Sequence, residues 1–290
     1  MHPAPSVILF SVLSGLGFGF LAFLGWGALM PSGWAAFLIW GLGYGLAVAG
    51  LLAATFHLGN PKNALKAFSQ WRTSWLSREA WASVATLVLL VPMALSDIFG
   101  LGLPRLIGQA GGALALVTVS TTAMIYTQIK AVPRWHHWLT PVMFLTFAFS
   151  GGTMLSGLAW APVPMLVVGA VLLAVWRVGD GAFVRAGQSL GTATGLDRLG
   201  VPAVLDPAHT AGNYLKKEMI FVVGRKHAAR LRRIALVLAS VIPALILLLP
   251  LGIWGLVLAT LSHLLGALAA RWLFFAEAEH VVGLYYGARE

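Results

Sequence analysis

The feature that most constrains this chain is a series of apolar runs, each about twenty residues long and nearly free of charge. Roughly twenty residues of helix, rising about 1.5 Å each, cross the ~30 Å hydrocarbon layer of a bilayer. Eight such runs can be traced: Ser6–Leu29, Trp34–Leu58, Ala80–Gly102, Leu106–Ile129, Leu139–Leu158, Pro164–Ala186, Arg233–Leu249 and Gly252–Phe275. Membrane-barrel strands would read instead as ten-residue alternating segments, which the sequence lacks. The expectation is an all-α integral membrane protein, a bundle of about eight transmembrane helices. Only 10 % of the 290 residues are charged and 59 % are hydrophobic, so lipid must serve as solvent for much of the surface. The runs continue from end to end. Residues 1–290 therefore read as a single polytopic membrane domain, with 187–232 a long loop within it. The first run is too long for the apolar core of a cleavable signal.

Three connections are very short: Met30–Gly33, Ala159–Val163 and Pro250–Leu251. They dictate tight antiparallel hairpins. Gly59–Glu79 and Gly187–Arg232 are long. Of nineteen Lys and Arg residues, all but Arg105 fall on the face that also holds both termini. Basic residues in loops report topology, and the asymmetry places that face and both termini in the cytoplasm. The same pattern removes the nucleic-acid reading that a net charge of +10 invites. Cysteine is absent, which excludes disulfides, thiolate-held iron–sulfur clusters and thiolate zinc sites on this chain; no metal site is expected.

The glycine runs Gly15–Gly19 and Gly41–Gly45 echo each other. No strand or βαβ unit surrounds them, so they read as small residues that let membrane helices approach closely, not as a nucleotide site. His263 alone falls near mid-membrane. A single histidine there cannot supply bis-histidine ligation, so no haem is expected; a helix–helix hydrogen bond accounts for it. His57 ends the second run and is followed by Leu58-Gly59-Asn60-Pro61, a helix stop. An imidazole held at the hydrocarbon edge suits hydrogen bonding to a quinone carbonyl and proton relay; it also suits a helix cap facing headgroups. Ser77 reads as an N-cap with Glu79 in the first turn after it. Trp71, Trp75 and Trp81 fit an interfacial belt. Glu277 and His280 share a helix face and read either as a proton entry or as a surface pair.

These segments resemble the DmsC-like family, the membrane anchor subunits of dimethyl-sulfoxide-reductase-type molybdoenzymes. The matching residues are His57–Pro61 followed by Ala64 and Phe68, then Leu76-Ser77-Arg78-Glu79, Val132-Pro133 before a tryptophan, and Arg271, Phe274 and His280. Within the family, Ser69–Arg72, Pro133–His137, Asn213–Met219, Gly224–Ala228 and Arg271–Ala278 are most similar to the branch serving a membrane-bound sulfite-oxidising enzyme.

The resemblance implies a complex of three subunits in a bacterial cytoplasmic membrane. Molybdopterin sits on a catalytic partner, iron–sulfur clusters on a ferredoxin-like partner, and a quinone (ubiquinone or menaquinone) binds this chain. Electrons would pass from sulfite to quinone, with membrane lipid around the bundle and no nucleic acid involved. The family's quinone-site histidine falls on His57. Glu277, His280, His136 and His137 are further candidates for proton relay. Lys62, Lys66, Arg72, Arg78, Arg134, Lys216, Lys217, Arg225 and Lys226 are candidates for partner docking. The cytoplasmic placement of this face agrees with the sulfite-oxidising branch, since reductase anchors of the family serve periplasmic partners. The alternatives are a quinol-oxidising anchor of an S- or N-oxide reductase, a purely structural anchor, and a secondary transporter. Transporters carry ionisable groups or broken helices at mid-membrane, where only His263 lies here.

Overall fold

The computed structural model describes residues 1–56, 61–206, 212–220 and 227–286. The described residues form helices and turns, with no strand among them. α1 (Pro5–Gly25) and α2 (Gly33–Thr55) form the first hairpin. A 3₁₀ segment, Pro61–Phe68, leads to α3 (Trp75–Phe99), which pairs with α4 (Arg105–Thr127). α5 (Leu139–Leu155) turns tightly into α6 (Pro162–Asp180), followed by the short helices α7 (Ala182–Arg185) and α8 (Leu190–Thr194). After a π-helical turn at Leu215–Met219 comes a composite helix: α9 (Ala228–Leu236), a second π-helical turn Val237–Val241, and α10 (Ile242–Leu247). α11 (Gly252–Ala276) and a 3₁₀ turn, Val281–Tyr286, follow.

Six of these helices are long and apolar enough to cross a membrane: α1, α2, α3, α4, α6 and α11; α5 is a shorter apolar helix. With the composite α9–α10 they account for the eight apolar runs. Some bounds differ from the sequence reading. α3 begins at Trp75 rather than Ala80 because Arg78 organises the turn before it. The Arg78 guanidinium lies 4.3 Å from the Trp75 ring centre and donates to the Trp71 and Arg72 carbonyls. Ser77 is therefore no N-cap; Ser74 holds that position, and the Ser77 hydroxyl accepts from the Gln70 N–H. α6 stops at Asp180, ahead of Gly181, and the seventh crossing begins at Ala228 rather than Arg233.

α1 is the central helix, packed by α2, α4, α5 and α11. Small residues make this possible, as membrane helices gain little from apolar burial against lipid and rely on close packing. A Cβ on Gly17 would collide with the α2 backbone at Ala47, and one on Gly19 with the α5 backbone at Ala148. Of the two echoing glycine runs, Gly17, Gly19 and Gly43 fill this role, while Gly15, Gly41 and Gly45 have open space around them. The end of the bundle with the tight hairpins holds one charged clasp. Asp97 accepts from Arg105 Nη2 at 2.8 Å and from buried Trp40 Nε1 at 3.0 Å. The opposite end carries the long connections and the site described next.

Candidate functional site

At the end bearing both termini, the helices splay around a cavity of about 340 Å³. Its size falls in the range of small-molecule sites. Aromatic side chains dominate the walls: Phe10 from α1, Tyr126 from the last turn of α4, Trp135 from the α4–α5 connection and Phe275 from α11. They brace one another. Trp135 stacks on Phe274 with ring centres 5.2 Å apart, and its Nε1 donates to the Phe274 carbonyl at 2.8 Å. Tyr126 sits edge-on to Trp135 at 5.4 Å and to Phe275 at 5.6 Å. Rings locked by packing line an apolar cavity of a size that suits an aromatic or quinonoid head group. His2 and Glu218 contribute polar side chains to the lining.

Ala54, in the last turn of α2, also lines the cavity. Ala54 precedes His57 by three residues in the sequence. His57 itself lies outside the described residues, as do Arg225, Lys226 and the Lys62 side chain.

Below the cavity lies a carboxyl that sequence reasoning assigned only to a helix start. Leu76 lines the cavity, and Glu79 follows one helical turn deeper on α3, 4 % exposed. Thr122 Oγ1 donates to Glu79 Oε1 at 2.5 Å, and Thr122 is one turn from the wall residue Tyr126. The two ends of the polar stretch, Thr118 and Thr122, thus face α3, where Thr118 is hydrogen bonded to Thr86 at 3.0 Å. The signal was in the sequence, since an acid inside a membrane helix is a functional candidate by default. It was masked by placing the start of α3 after Glu79.

The other sequence candidates fall elsewhere. Glu277 is buried and clamped between two guanidiniums. Arg134 Nη2 donates to Oε2 at 2.5 Å and Arg232 Nε to Oε1 at 2.7 Å. Both arginines also reach Asp180, at 3.0 and 2.5 Å. This four-residue cluster ties the α4–α5 connection, α6, α9 and the end of α11. Glu277 is thus held by two fixed cations, and Arg134 is engaged within the cluster. His136 is exposed, with Nδ1 2.6 Å from the Thr127 carbonyl. His137 Nδ1 accepts from the Leu139 N–H, and His280 Nδ1 accepts from the Val282 N–H at 3.0 Å. Partial burial pushes both imidazoles below their ordinary value of 6.5, His137 further by the nearby Arg185. Among the described residues, none of these four candidates lines the cavity. Lys66, Arg72 and Lys217 are exposed around the same end, while Arg78 is bonded to its own loop and Lys216 lies 5.7 Å from the Tyr286 ring. His263 makes the helix–helix bond expected of it, its Nδ1 2.7 Å from the Ala239 carbonyl.

Fold and site together define a multi-pass helical membrane protein whose loop-rich end holds a ligand-sized cavity with aromatic walls. Over residues 2–287 the sequence matches the DMSO reductase anchor subunit (DmsC) family, and the chain belongs to that family. It is 32 % identical to a sulfite dehydrogenase subunit from Allochromatium vinosum, across 99 % of each chain. No solved structure matches it.

Proposed function

We propose that the chain is the quinone-reactive anchor of a three-subunit sulfite-oxidising enzyme in the bacterial cytoplasmic membrane, its two termini facing the cytoplasm. The observation that carries this reading is the aromatic cavity at the mouth of α2. It is lined by Ala54, three residues before His57 in sequence, and by Leu76, one helical turn from the buried carboxyl of Glu79. Family membership supports an anchor role, and the similarity to a sulfite dehydrogenase subunit supports sulfite as the electron source.

In this reading the molybdopterin and iron–sulfur groups reside on the catalytic and ferredoxin-like partners and deliver electrons to the membrane surface. Sulfite plus water becomes sulfate, releasing two electrons and two protons; quinone takes up two of each to become quinol. The chain's own residues do three things. Phe10, Tyr126, Trp135 and Phe275 hold the quinone ring and exclude water. His57 hydrogen-bonds a quinone carbonyl and passes it a proton from the cytoplasmic side, for which an imidazole that titrates near neutrality is suited. Glu79, held in place by the hydrogen bond from Thr122, supplies a second exchangeable proton. Protons and electrons enter from the same side, so no charge need cross the membrane, where each would cost about 2.3 kcal/mol per 100 mV. Exposed Lys66, Arg72 and Lys217 contribute to docking, which should weaken with salt.

The test is sulfite-dependent reduction of a quinone analogue by membranes holding the whole complex. His57→Ala should abolish reduction while the partners stay bound. Reduction at the parental rate would remove His57 from the mechanism. Quinol-driven reduction of an S- or N-oxide, with no response to sulfite, would reverse the direction and assign the anchor to a reductase.

A further inference from the structure

A second, much smaller cavity lies deeper in the bundle, between α1, α4, α5 and α11, with a volume of about 20 Å³. Two strongly polar side chains of α11 line it, His263 and Arg271. Arg271 is 4 % exposed, and its Nη1 has no protein hydrogen-bond partner among the described residues. The sequence counted this arginine with the loop charges; the structure encloses it. Its guanidinium lies 3.4 Å from the ring centre of Phe144 and 5.5 Å from that of Phe147. Cation–π contact stabilises the charge but leaves N–H donors at the guanidinium edge unmet. Arginine does not lose its proton in proteins, so an enclosed Nη1 must find an acceptor or carry the full desolvation penalty.

The rest of the cavity defines what fits. His263 Nδ1 faces the Ala239 carbonyl, which can only accept, so Nδ1 carries the ring proton and neutral Nε2 is an acceptor. That carbonyl belongs to the π-helical turn Val237–Val241, whose widened turn also offers the Leu238 carbonyl to Ser262 at 2.9 Å. The histidine is thereby fixed with its acceptor nitrogen away from the seventh crossing. Ser11 Oγ, also on the cavity wall, donates to the Ile8 carbonyl and keeps its lone pairs as acceptors. One donor and two acceptors surround a volume just above the ~10–15 Å³ that a single water needs. A carboxylate or phosphate is too large and would meet two acceptors. A water accepts from arginine and donates twice, satisfying every group.

We propose that this cavity is a hydration site, in which one water held by Arg271 Nη1, His263 Nε2 and Ser11 Oγ keeps an arginine charged inside the bundle. The charge lies against Phe144, whose ring centre is 5.7 Å from that of Tyr126, a wall of the larger cavity. A fixed positive charge thus stands one aromatic layer behind that wall. The proposal does not depend on what the larger cavity binds.

His263 gives the decisive experiment. His263→Leu removes an acceptor for the water and should lower the thermal midpoint of the complex in detergent. In an Arg271→Met background no guanidinium needs the water, so the same substitution should cost less there. An equal drop in both backgrounds, or no drop in the parental chain, overturns the proposal. A cryo-EM map of the complex that resolves waters should show a peak within hydrogen-bond distance of both Arg271 Nη1 and His263 Nε2; an empty cavity overturns it.

Discussion

The two ends of the bundle are held together by different means. At one end, four tight turns join α1 to α2, α3 to α4, α5 to α6 and α10 to α11. The chain itself keeps these helix ends adjacent, and short closed loops cost little further entropy. One clasp, Asp97 with Arg105 and Trp40, is the only ion pair described there. At the other end the helices are joined by long connections, and non-covalent ties replace the chain. Arg134, Arg232, Asp180 and Glu277 fasten four separate segments, and aromatic rings wedge the rest. The tightly turned end also holds a cavity, about 410 Å³ between the α5–α6 and α10–α11 turns, but its side chains are aliphatic. The cavity with aromatic and titratable side chains lies at the end tied by side chains.

The comparison can be tested by cutting each kind of tie. Glu277→Ala should have the largest effect, because it leaves two mostly buried guanidiniums sharing the one half-exposed carboxylate of Asp180. Losing one partner of a buried charge cluster costs about 3 kcal/mol or more, and thermal unfolding of the complex in detergent would register it. If this end were instead held by loop structure, the loss would be slight. Asp97→Asn should cost less, about 1–2 kcal/mol, because the hairpin turn still holds α3 to α4 and Arg105 is partly solvated. A loss equal to that of Glu277→Ala would erase the distinction between the ends. The smallest effect is expected from pH. Burial lowers the folded-state pKa of His280, so its contribution is fully present above the ordinary value of 6.5 and is lost as pH falls below it. Protonation removes the Nδ1 acceptor for the Val282 N–H, loosening the turn at Val281–Tyr286. Proteolysis near that turn should quicken between pH 8 and pH 5.5, and His280→Gln should flatten the response.

Hydropathy made the crossings legible, because a bilayer selects for length and apolarity whatever the packing. The boundaries were less so wherever charged residues joined a helix. Arg230 and Arg232 extend the seventh crossing through α9, since Arg232 is neutralised by Asp180 and Glu277, partners distant in sequence. The same reason hid much of the site. Tyr126, Trp135 and Phe275 come from three separate segments, and nothing in the spacing along the chain shows that they meet. Glu79 was in view but misread as a helix-start charge. His57 lies outside the described residues; its proposed role rests on its local helix-stop sequence and on family resemblance, neither of which needs a tertiary contact.

The four tight turns also bear on how the protein is made. Each hairpin comprises about fifty residues, synthesised in roughly 3–10 s at 5–20 residues per second. Its two helices can enter the bilayer together, with only the turn between them carried to the far side. In the proposed orientation the translocated turns bear a single cationic residue, Arg105, and its carboxylate partner Asp97 lies on the same hairpin. The pair can form before or during passage and cross without net charge, so inserting this chain requires no large polar segment to be exported through the membrane.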